Sequence, residues 1–584
     1  MDMINVKING LAVSVPKGST VLEAARKAGI EIPTLCYMKD KNEIGACRIC
    51  MVEVNEGRGF RMVTACVYPA SDGMEVITNS EKVQKSRKTT LELILSTHDK
   101  KCLSCARSTN CELQKLCRDY GVEDDTFEGF KPVYELDYST PHLVRDNNKC
   151  ILCRRCVAVC KEQYVSVIGA NDRGIDTNIG QAFELSLNST PCISCGQCTA
   201  VCPTGALTEK DDTDKIWDAL ADPTKTVVVQ TAPSVRATLG ECFGMPIGTN
   251  VEGKMVAALK RLGFNKVFDT DFGADLTIVE EANELIERVK NGGTLPMITS
   301  CSPGWVKFCE FYYPDMLKHL SSCKSPQQMT GAVIKTYWAE KEGIDVKDIV
   351  SVSVMPCTAK KFEIGREDQS AAGVPDVDIA ITTRELGRMI DRAGLNFTML
   401  PDEDFDNPLG EDTGAALIFG ATGGVMEAAL RTANDWISGR DNADIDYTAV
   451  RGTMGLKQAT AKLGDMEVKV AVASSASAAK VVMDKIKSGN PDGWTFVEIM
   501  GCPGGCVNGG GQPIQPQYIR DTVDLKSVRA KALYDADIAS KLRKSHESPA
   551  VKALYDGWYD GFGGHKAHHD LHTSYVARKK YRPE

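Results

Sequence analysis

Two similar runs of cysteine constrain this chain more than any other feature. Both have the spacing C-x2-C-x2-C-x3-C: CILCRRCVAVC contains Cys150, Cys153, Cys156 and Cys160, and CISCGQCTAVCP contains Cys192, Cys195, Cys198 and Cys202. Thiolates at this spacing are typical ligands of 4Fe–4S clusters, whereas zinc sites rarely place three cysteines so close together. The sequence therefore predicts a pair of 4Fe–4S clusters in this segment.

The two runs resemble those of bacterial two-cluster ferredoxins. In that fold, the fourth cysteine of each run binds the cluster of the other run. The resemblance implies that Cys202 completes the first cluster and that Cys160 completes the second. We assign residues 128–209 to this two-cluster domain.

Length and composition narrow the class of protein. The chain has 584 residues, which predicts several domains, and its net charge of -9 argues against nucleic acid or an anionic membrane as partner. No apolar run approaches the ~20 residues that span a bilayer, and the N-terminus lacks a signal-peptide core. We therefore expect a cytoplasmic protein whose clustered cysteines bind metal rather than form disulfides.

Residues 1–79 combine a β-rich pattern with a further set of candidate ligands. INVKI and LAVSV flank Asn9-Gly10, which predicts a hairpin, and STVLEAARKAG predicts a capped helix that ends near Gly29. The candidate ligands are Cys36, Cys47, Cys50 and Cys66. They resemble a plant-type 2Fe–2S ferredoxin, in the form found at the front of multi-cluster redox enzymes. One 2Fe–2S cluster is expected, and a zinc ribbon is the alternative.

Residues 80–127 contain a mixed set of ligands. EKVQKSRKTTLELILST predicts a helix that delivers His98, and the remaining candidates are Cys102, Cys105 and Cys111. Imidazole suits iron and zinc alike. A 4Fe–4S cluster with one histidine ligand is the prediction and a Cys3His zinc site is the alternative, with Cys117 unused in either.

Residues 210–584 alternate short apolar runs with helical patterns, which predicts parallel sheets covered by helices. The predicted strands are TVVVQ, TLPMITS, IVSVSVM, VDIAITT, AALIFG and WTFVEIM. Three of these runs stop at cysteines. TLPMITS stops at Cys301, IVSVSVM stops just before Cys357, and WTFVEIM stops just before Cys502 and Cys506. Because ligands bind beyond the carboxyl ends of strands in open α/β sheets, we expect one shared cluster site.

The segments TSCSPGW, MPCTAKKFE and EIMGCPGGCVNGGG resemble the active-site signatures of FeFe-hydrogenases. The resemblance extends over essentially the whole chain and is greatest to the large clostridial form with four accessory clusters. It implies a multidomain α+β and α/β fold: a β-grasp 2Fe–2S ferredoxin domain, a His/Cys3 cluster domain, a bacterial two-cluster ferredoxin domain and a large α/β H-cluster domain. The H-cluster joins a 4Fe–4S cube to a diiron unit that carries CO, CN⁻ and azadithiolate.

The resemblance also implies roles for individual residues. Cys357, Cys502 and Cys506 would ligate the cube, and Lys360 would donate a hydrogen bond to a cyanide. The residues that would line the cofactor pocket are Ala232, Pro233, Ser234, Gln327, Met355 and Met500.

The pair Cys301-Ser302 stands where the family usually has two adjacent cysteines, of which the first relays protons and the second ligates the cube. Two alternatives remain open. Ser302 ligates iron through oxygen or leaves that iron to another ligand, or a shift of one residue along the backbone allows Cys301 to ligate.

A proton path is suggested by VEEANELIERVKNGG. Glu281, Glu284 and Arg288 recur at i, i+3 and i+7, which places them on one face of a helix. A solvated charged face is the simpler interpretation. The resemblance implies instead a relay through Cys301, Glu281, Ser321 and Glu284, with Arg288 near the entrance.

The function implied by the resemblance is reversible hydrogen activation, 2H⁺ + 2e⁻ ⇌ H₂, with ferredoxin or a similar electron carrier as partner and maturation proteins that build the diiron unit. One alternative is the catalytic subunit of an electron-bifurcating complex with flavin- and NAD-binding subunits. The others are an iron–sulfur subunit like that of NADH:quinone oxidoreductase and a non-catalytic scaffold or sensor.

Other features receive structural interpretations. GATGGVME lacks the full glycine pattern of a nucleotide loop and predicts a tight strand-to-helix turn. Buried free thiols are expected at Cys242, Cys309 and Cys323. The histidine-rich end FGGHKAHHDLHTSY is expected to be helical.

Overall fold

The computed structural model describes residues 2–123, 127, 129–410, 412–453 and 455–582. Its N-terminal part is a mixed sheet in the order β2-β1-β5-β3-β4, made of Met3–Ile8 (β1), Leu11–Pro16 (β2), Met51–Asn55 (β3), Phe60–Thr64 (β4) and Glu75–Ile77 (β5). Strands β1 and β2 pair antiparallel through the predicted turn, where Asn9 and Gly10 both have positive φ. Helix α1 (Val21–Lys27) begins with a capping box between Thr20 and Glu23 and covers this sheet.

The second segment contains the predicted long helix, α2 (Glu81–Thr97), and His98 is its C-cap residue. Helix α3 (Glu112–Asp119) begins immediately after Cys111, whose thiol accepts a hydrogen bond from the Gln114 amide. The helix therefore fixes the position of a candidate ligand.

The two cysteine runs form a pair of similar units. Each unit has a short helix, α4 (Arg155–Glu162) or α5 (Gln197–Val201), and the residue before each helix has left-handed backbone geometry. The short strands Leu143–Arg145 (β6) and Leu207–Glu209 (β9) pair, as do Gly169–Asn171 (β7) and Asn178–Gly180 (β8). Helices α4 and α5 pack against each other, so the two runs lie side by side.

The large domain is built on two sheets within the described residues. The first is fully parallel in the order β11-β10-β13-β14 and comprises Thr226–Thr231 (β10), Lys266–Asp269 (β11), Ile349–Met355 (β13) and Ile379–Thr382 (β14). The second has the order β12-β17-β16-β15 and comprises Met297–Ile298 (β12), Leu456–Leu463 (β15), Met466–Ser474 (β16) and Phe496–Met500 (β17). Only the edge strand β15 pairs antiparallel among these described strands. The prediction of parallel sheets is therefore confirmed.

Helices cover both sheets, as expected for buried parallel strands. In chain order they are Thr213–Ala221 (α6), Pro233–Arg236 (α7), Glu252–Leu262 (α8), Thr270–Asn291 (α9), Pro303–Tyr312 (α10), Pro326–Val333 (α11), Ala339–Glu342 (α12), Lys360–Glu363 (α13), Thr383–Arg392 (α14), Gly414–Leu417 (α15), Gly424–Ser438 (α16), Ala476–Lys487 (α17), Gln517–Thr522 (α18), Leu525–Ala539 (α19), Pro549–Gly557 (α20) and His565–Leu571 (α21). A π-helical turn, Ile334–Trp338, joins α11 to α12. None of the helices in the described parts of the chain has the length and apolar character needed to cross a bilayer.

One predicted strand is wrong. AALIFG forms helix α15 and a 3₁₀ turn (Ile418–Gly420), because a short apolar run fits a buried helix as well as a strand. GATGGVME is consequently a turn between helices, in which Gly423 has a φ of 93°. TLPMITS contributes only the two residues of β12, since Pro296 has no amide for a ladder.

The remaining structural predictions have mixed outcomes. Cys309 and Cys323 are buried, whereas Cys242 is only half-buried. The histidine-rich end contains helix α21, as expected.

Candidate active site and accessory metal sites

The carboxyl ends of four strands converge on one cavity. Ala232 follows β10, Cys301 lies shortly after β12, Pro356 follows β13 and Gly501 follows β17. The residues around the cavity include Ala232, Pro233, Ser234, Cys301, Ser302, Gln327, Met355, Cys357, Lys360, Met500, Cys502 and Cys506. The candidate cluster ligands and candidate pocket residues are therefore neighbours in space, although the segments that carry them are far apart in the chain.

The cavity brings four cysteine thiols together. Burial raises the pKa of Cys506 to about 12, and the charge of Cys357 adds to this shift. Burial also raises the pKa of Cys502 well above its usual value, again with a contribution from Cys357. Bound iron would reverse this effect, because a coordinating thiol is deprotonated by the metal. Three converging soft donors suit an iron–sulfur cube.

Lys360 places a cation in the wall of the same cavity. Its ammonium donates hydrogen bonds to Glu363 Oε2 at 2.8 Å, to Ser325 Oγ at 2.8 Å and to the Cys301 carbonyl at 3.2 Å. Glu363 also accepts from Gln327 Nε2 at 3.0 Å. All three ammonium donors thus have protein acceptors, and the longest of these contacts is the weakest. A buried ammonium held beside a cavity is suited to an anionic group there.

Ser302 and Cys301 take different positions in the wall. Ser302 is the residue before α10, and its Oγ accepts a hydrogen bond from the Gly501 amide at 3.0 Å. Burial, reinforced by the charge of Glu281, raises the pKa of the Cys301 thiol well above its usual value. Ser302 is thus bonded to the amide that precedes Cys502, while Cys301 lies near a carboxylate.

Helix α9 carries charged groups from the cavity toward the surface. Glu281 is fully buried, and its carboxylate lies beside the Ser321 hydroxyl and the Ser300 backbone. Burial raises its pKa to about 8, with a further contribution from the charge of Glu284. Glu284 Oε2 accepts from Ser321 Oγ at 3.0 Å, and Arg288 pairs with Glu284 Oε1 at 2.5 Å. Glu284 and Arg288 border an open pocket, so the buried carboxyl and the surface are joined by neighbouring polar groups.

The two-cluster domain groups its cysteines across the two runs. Cys150, Cys153, Cys156 and Cys202 line one cavity. Burial, followed by the charge of Cys192, raises the pKa of Cys160 to about 11. The fourth thiol of each run therefore lies with the first three thiols of the other run.

The N-terminal candidate ligands also converge. The thiol of Cys36 contacts that of Cys47, and the thiol of Cys50 contacts that of Cys66. His98 is buried and its Nδ1 has no hydrogen-bond partner among the described residues. Burial lowers the pKa of this imidazole to about 4, so it is neutral, as a metal ligand must be. The other candidate ligands of this set are Cys102, Cys105 and Cys111.

Backbone contacts connect the sites in sequence. Asn42 Nδ2 donates to the carbonyls of Cys36 at 2.7 Å and Cys153 at 3.0 Å. Arg107, beside the His98 set, donates to the Cys202 carbonyl at 2.8 Å. Both N-terminal sites therefore touch the loops of the first 4Fe–4S site.

The second 4Fe–4S site touches the large cavity. The Cys502 thiol lies 3.9 Å from the Cys195 carbonyl, and Thr358 Oγ1 donates to the Ser194 carbonyl at 2.7 Å. The candidate sites therefore form a continuous series from the N-terminal domains to the cavity.

Several neighbours of the candidate ligands were not identified from the sequence. Glu363 follows Lys360 by three residues within MPCTAKKFE, a helical spacing that could have revealed their pairing. His142 Nε2 lies 3.7 Å from the Cys192 thiol, and Lys307 donates to Ser194 Oγ at 3.0 Å. No local pattern links these two residues to the second cysteine run.

Protein-family models match most of this architecture. Residues 225–510 match the C-terminal domain of the iron-only hydrogenase large subunit, and residues 523–578 match the iron hydrogenase small subunit. Residues 1–81 match a 2Fe-2S cluster binding domain, residues 87–126 the iron–sulfur binding region of NADH-ubiquinone oxidoreductase-G, and residues 149–206 a 4Fe-4S dicluster domain. The iron–sulfur interpretation of these segments, rather than the zinc alternatives, is confirmed.

Full-length relatives share the same organisation. The chain is 47% identical to the NADP-reducing hydrogenase subunit HndD of Solidesulfovibrio fructosivorans over 99% of this chain and 100% of the relative. It is 44% identical to iron hydrogenase 1 of Clostridium pasteurianum over 98% of this chain and 100% of the relative. A solved structure of the FeFe-hydrogenase HydA1 of Chlamydomonas reinhardtii aligns with a TM-score of 0.56 at 40% identity, covering 63% of this chain and 100% of that one. This chain belongs to the FeFe-hydrogenase family.

Proposed function

We propose that this chain catalyses 2H⁺ + 2e⁻ ⇌ H₂ in the cavity at the strand ends and exchanges the electrons with ferredoxin or a similar carrier. The observation that carries the proposal is that cavity, in which the side chains of Cys357, Cys502 and Cys506 surround a space bordered by Lys360. Such a donor set can hold an iron–sulfur cube, while the ammonium stabilises anionic ligands.

The H-cluster, held by these cysteines, would supply the redox centre at which hydrogen is formed or split. Lys360 would donate to an anionic ligand, exchanging its 3.2 Å contact with the Cys301 carbonyl. Met355 and Met500 would provide soft apolar contacts and exclude water. The movement of protons and electrons to and from the cavity would then fall to other groups of the chain.

Protons would pass between Cys301 and the surface through Glu281, Ser321 and Glu284. The raised pKa of Glu281, about 8, keeps a proton on this carboxyl at neutral pH, which suits a group that both accepts and donates. Arg288 holds Glu284 through Oε1 and leaves Oε2 to Ser321. Arg288 is therefore a positioning residue at the entrance.

Electrons would pass through one 2Fe–2S and three accessory 4Fe–4S clusters. The contacts of Asn42 and Arg107 connect both N-terminal sites to the first run of the two-cluster domain. The contact between Cys195 and Cys502 connects the second run to the cavity. The N-terminal sites would thus be the places where a carrier delivers electrons.

Ser302 would occupy the fourth ligand position of the cube. Ser302 lines the cavity, and its Oγ accepts a hydrogen bond from the Gly501 amide. An amide donor stabilises a negatively charged oxygen, which favours an oxygen ligand over a backbone shift that moves Cys301 into this position. Cys301 would remain the proton relay.

A second candidate function is the catalytic subunit of an electron-bifurcating complex with flavin- and NAD-binding partner subunits. The specific support is the 47% identity, over 99% of this chain, to a subunit of an NADP-reducing hydrogenase. The same catalytic residues would serve in both cases. Co-purification with a flavoprotein from the native host would favour the complex, and activity with ferredoxin alone would favour the stand-alone enzyme.

The test is an infrared spectrum of protein matured anaerobically with the proteins that build the diiron unit. We expect sharp CO and CN⁻ bands, together with hydrogen turnover. Protein expressed without the maturation proteins should contain its accessory clusters and show neither. Absence of the bands from matured, cluster-filled protein would overturn the proposal.

A further inference from the structure

Three different metal-binding side chains meet at the surface end of the proton path. The Glu284 carboxylate, the Cys323 thiol and the His572 imidazole each offer a ligand atom, and these atoms all lie within 4.8 Å of one another. Cys323 and His572 are 249 residues apart in the chain, so only the fold brings them together. We call these three residues the mouth triad.

The backbone fixes two members of the mouth triad relative to each other. Cys323 and His572 face each other in an antiparallel β-bridge, closed by hydrogen bonds from the Lys324 amide to the Leu571 carbonyl at 2.8 Å and from the Thr573 amide to the Ser322 carbonyl at 2.7 Å. Residues directly opposite in such a pair project to the same face. The thiol and the imidazole are therefore held side by side by main-chain bonds.

The third member is also oriented. Arg288 binds Glu284 Oε1, while the Cys323 thiol lies 3.9 Å from Glu284 Oε2. Oε2 also accepts hydrogen bonds from Ser321 Oγ and from the Ser322 amide, both at 3.0 Å, so a bond from Oε2 to the metal would replace one of them. His572 contacts Ser322 Oγ at 2.8 Å and Glu280 Oε2 at 3.2 Å through its two ring nitrogens. One of these contacts would be exchanged for a metal bond, and the other would keep the ring in place.

The donor types select the class of metal. One thiolate, one imidazole and one carboxylate form a typical set for Zn²⁺, with bonds of about 2.0–2.3 Å. Tetrahedral bonds of this length separate ligand atoms by about 3.3–3.8 Å, so the triad needs to contract by only about 1 Å. Mg²⁺ and Ca²⁺ prefer oxygen ligands alone. Three protein ligands leave one position for water.

A hydrated ion can reach two members of the mouth triad from solvent, and the third, Cys323, is buried beside them. Glu284 and His572 border an open pocket whose rim also includes Glu280, Glu287 and His568. The carboxylates in this rim attract cations. The open pocket therefore gives a cation a route to Glu284 and His572.

We propose that the mouth triad binds one Zn²⁺ or a similar divalent transition-metal ion, and that its occupancy closes the proton path. Binding replaces water ligands of the ion with Glu284 oxygen, His572 nitrogen and Cys323 sulfur, and the thiol proton leaves to solvent. A carboxylate bound to the ion no longer accepts a proton from Ser321. The closure rests on the proposed function, whereas the metal site itself does not.

The binding test uses the matured holoenzyme with Zn²⁺ as probe, since the cluster cysteines are then occupied by iron. Equilibrium dialysis should give one zinc per chain, and zinc K-edge X-ray absorption, which does not detect iron, should show one sulfur at about 2.3 Å with nitrogen and oxygen at about 2.0–2.1 Å. Cys323→Ser should remove the sulfur contribution. His572→Ala should weaken binding at least about 10-fold, the loss that even an outer-shell partner can cause.

His569→Ala is the matched control, because His569 lies on α21, three residues before His572, with a side chain that is 71% exposed. It should bind zinc like the unmodified enzyme. Accessory-cluster content checks that each variant is folded. Zinc bound without sulfur, or bound equally by the Cys323→Ser and His572→Ala variants, would overturn the site.

The closure has its own test. Zinc should slow hydrogen turnover of the unmodified enzyme by at least about 10-fold at saturation, and His572→Ala should need a correspondingly higher zinc concentration. Unchanged turnover with zinc bound to sulfur would overturn the closure. If the unmodified enzyme shows no hydrogen turnover at all, the proposed function fails while the X-ray absorption result still decides the metal site.

Discussion

Gly510 approaches Cys195 so closely that a β-carbon on Gly510 would lie 2.3 Å from the Cys195 carbonyl oxygen. The two residues belong to different cluster sites: Gly510 follows Cys506 of the large cavity, and Cys195 belongs to the second 4Fe–4S run. The contact is between backbones, so no side chain can rotate away to make room. Glycine at this position thus sets how near the two sites can be.

Gly510→Ala should slow electron transfer between these sites. The added methyl group forces the backbones apart, because real β-carbons are essentially never found under 3.0 Å from another heavy atom. We expect a several-fold fall in turnover when electrons enter through the N-terminal clusters. The matched control is Gly557→Ala, where a β-carbon would meet nothing within 4 Å. Equal turnover in the two variants would contradict the importance of this contact.

Glu281→Gln should lower hydrogen turnover by about 10²–10⁴-fold, the usual contribution of a positioned acid–base group. Glutamine keeps the shape of the side chain but cannot exchange a proton. Glu287→Gln, an exposed position on the same helix, should change turnover by less than about twofold. Turnover assays under saturating hydrogen would measure both. Infrared CO and CN⁻ bands should be retained in both variants, which separates lost proton transfer from lost cofactor.

The protonation of Glu281 should follow its raised pKa. With a pKa of about 8, the carboxyl is protonated below that pH and becomes ionised as the pH rises through it. The infrared C=O band of the neutral acid should therefore lose intensity near pH 8 and be missing from Glu281→Gln. A band that disappears near pH 4–5, the ordinary range for glutamate, would contradict the effect of burial.

Substitutions at Ser302 and Cys301 should have different consequences. Ser302→Ala should reduce occupancy of the cube, and Ser302→Cys should retain the cube with a shifted reduction potential, because thiolate is a softer ligand than oxygen. Cys301→Ala should retain the cube and lose turnover by about 10²-fold or more. Iron content, redox titration and infrared spectra distinguish these results. Loss of the cube in Cys301→Ala alone would assign the ligand to Cys301 instead.

Arg431→Met should destabilise the packing of α16 against α19 by about 1.5–3 kcal/mol, the usual contribution of hydrogen bonds to charged groups. Glu427 and Asp537 would lose the buried cation that they share and keep only Arg451 and Arg543. Arg431 pairs with Glu427 at 2.8 Å and Asp537 at 2.9 Å, and all three side chains are fully buried. The control Lys531→Met removes an exposed pair with Asp535 on α19, which typically contributes about 0.3–0.5 kcal/mol. Thermal unfolding followed by circular dichroism should therefore separate the two variants.

Local patterns account for the features that could be predicted from the sequence. Each cysteine run places four candidate ligands within eleven residues, so spacing alone indicates a cluster. The ends of the strands before Cys357 and Cys502 could be predicted, because the apolar runs stop abruptly there. Parallel sheets place such strand ends at the same edge. Glu281 and Glu284 are three residues apart on α9, so the helical period places both side chains on the same face.

Tertiary contacts account for what was missed. AALIFG is buried between α9 and α19, where an apolar helix satisfies the same pattern as a strand. Asn42 joins two sites through side-chain bonds to backbone carbonyls, which no spacing reveals. The meeting of Cys323 with His572 depends on a β-bridge between distant segments.

The crossing of the cysteine runs has a consequence for biosynthesis. Cys150, Cys153 and Cys156 share their cavity with Cys202, so a chain still being translated cannot complete that cube until residue 202 has emerged from the ribosome. The cavity that contains Cys506 closes only after another three hundred residues. Synthesis from the N-terminus therefore makes the ligands of the two N-terminal sites available first and those of the two cysteine runs nearly together, and the cavity at the strand ends is the last to become ready for its cofactor.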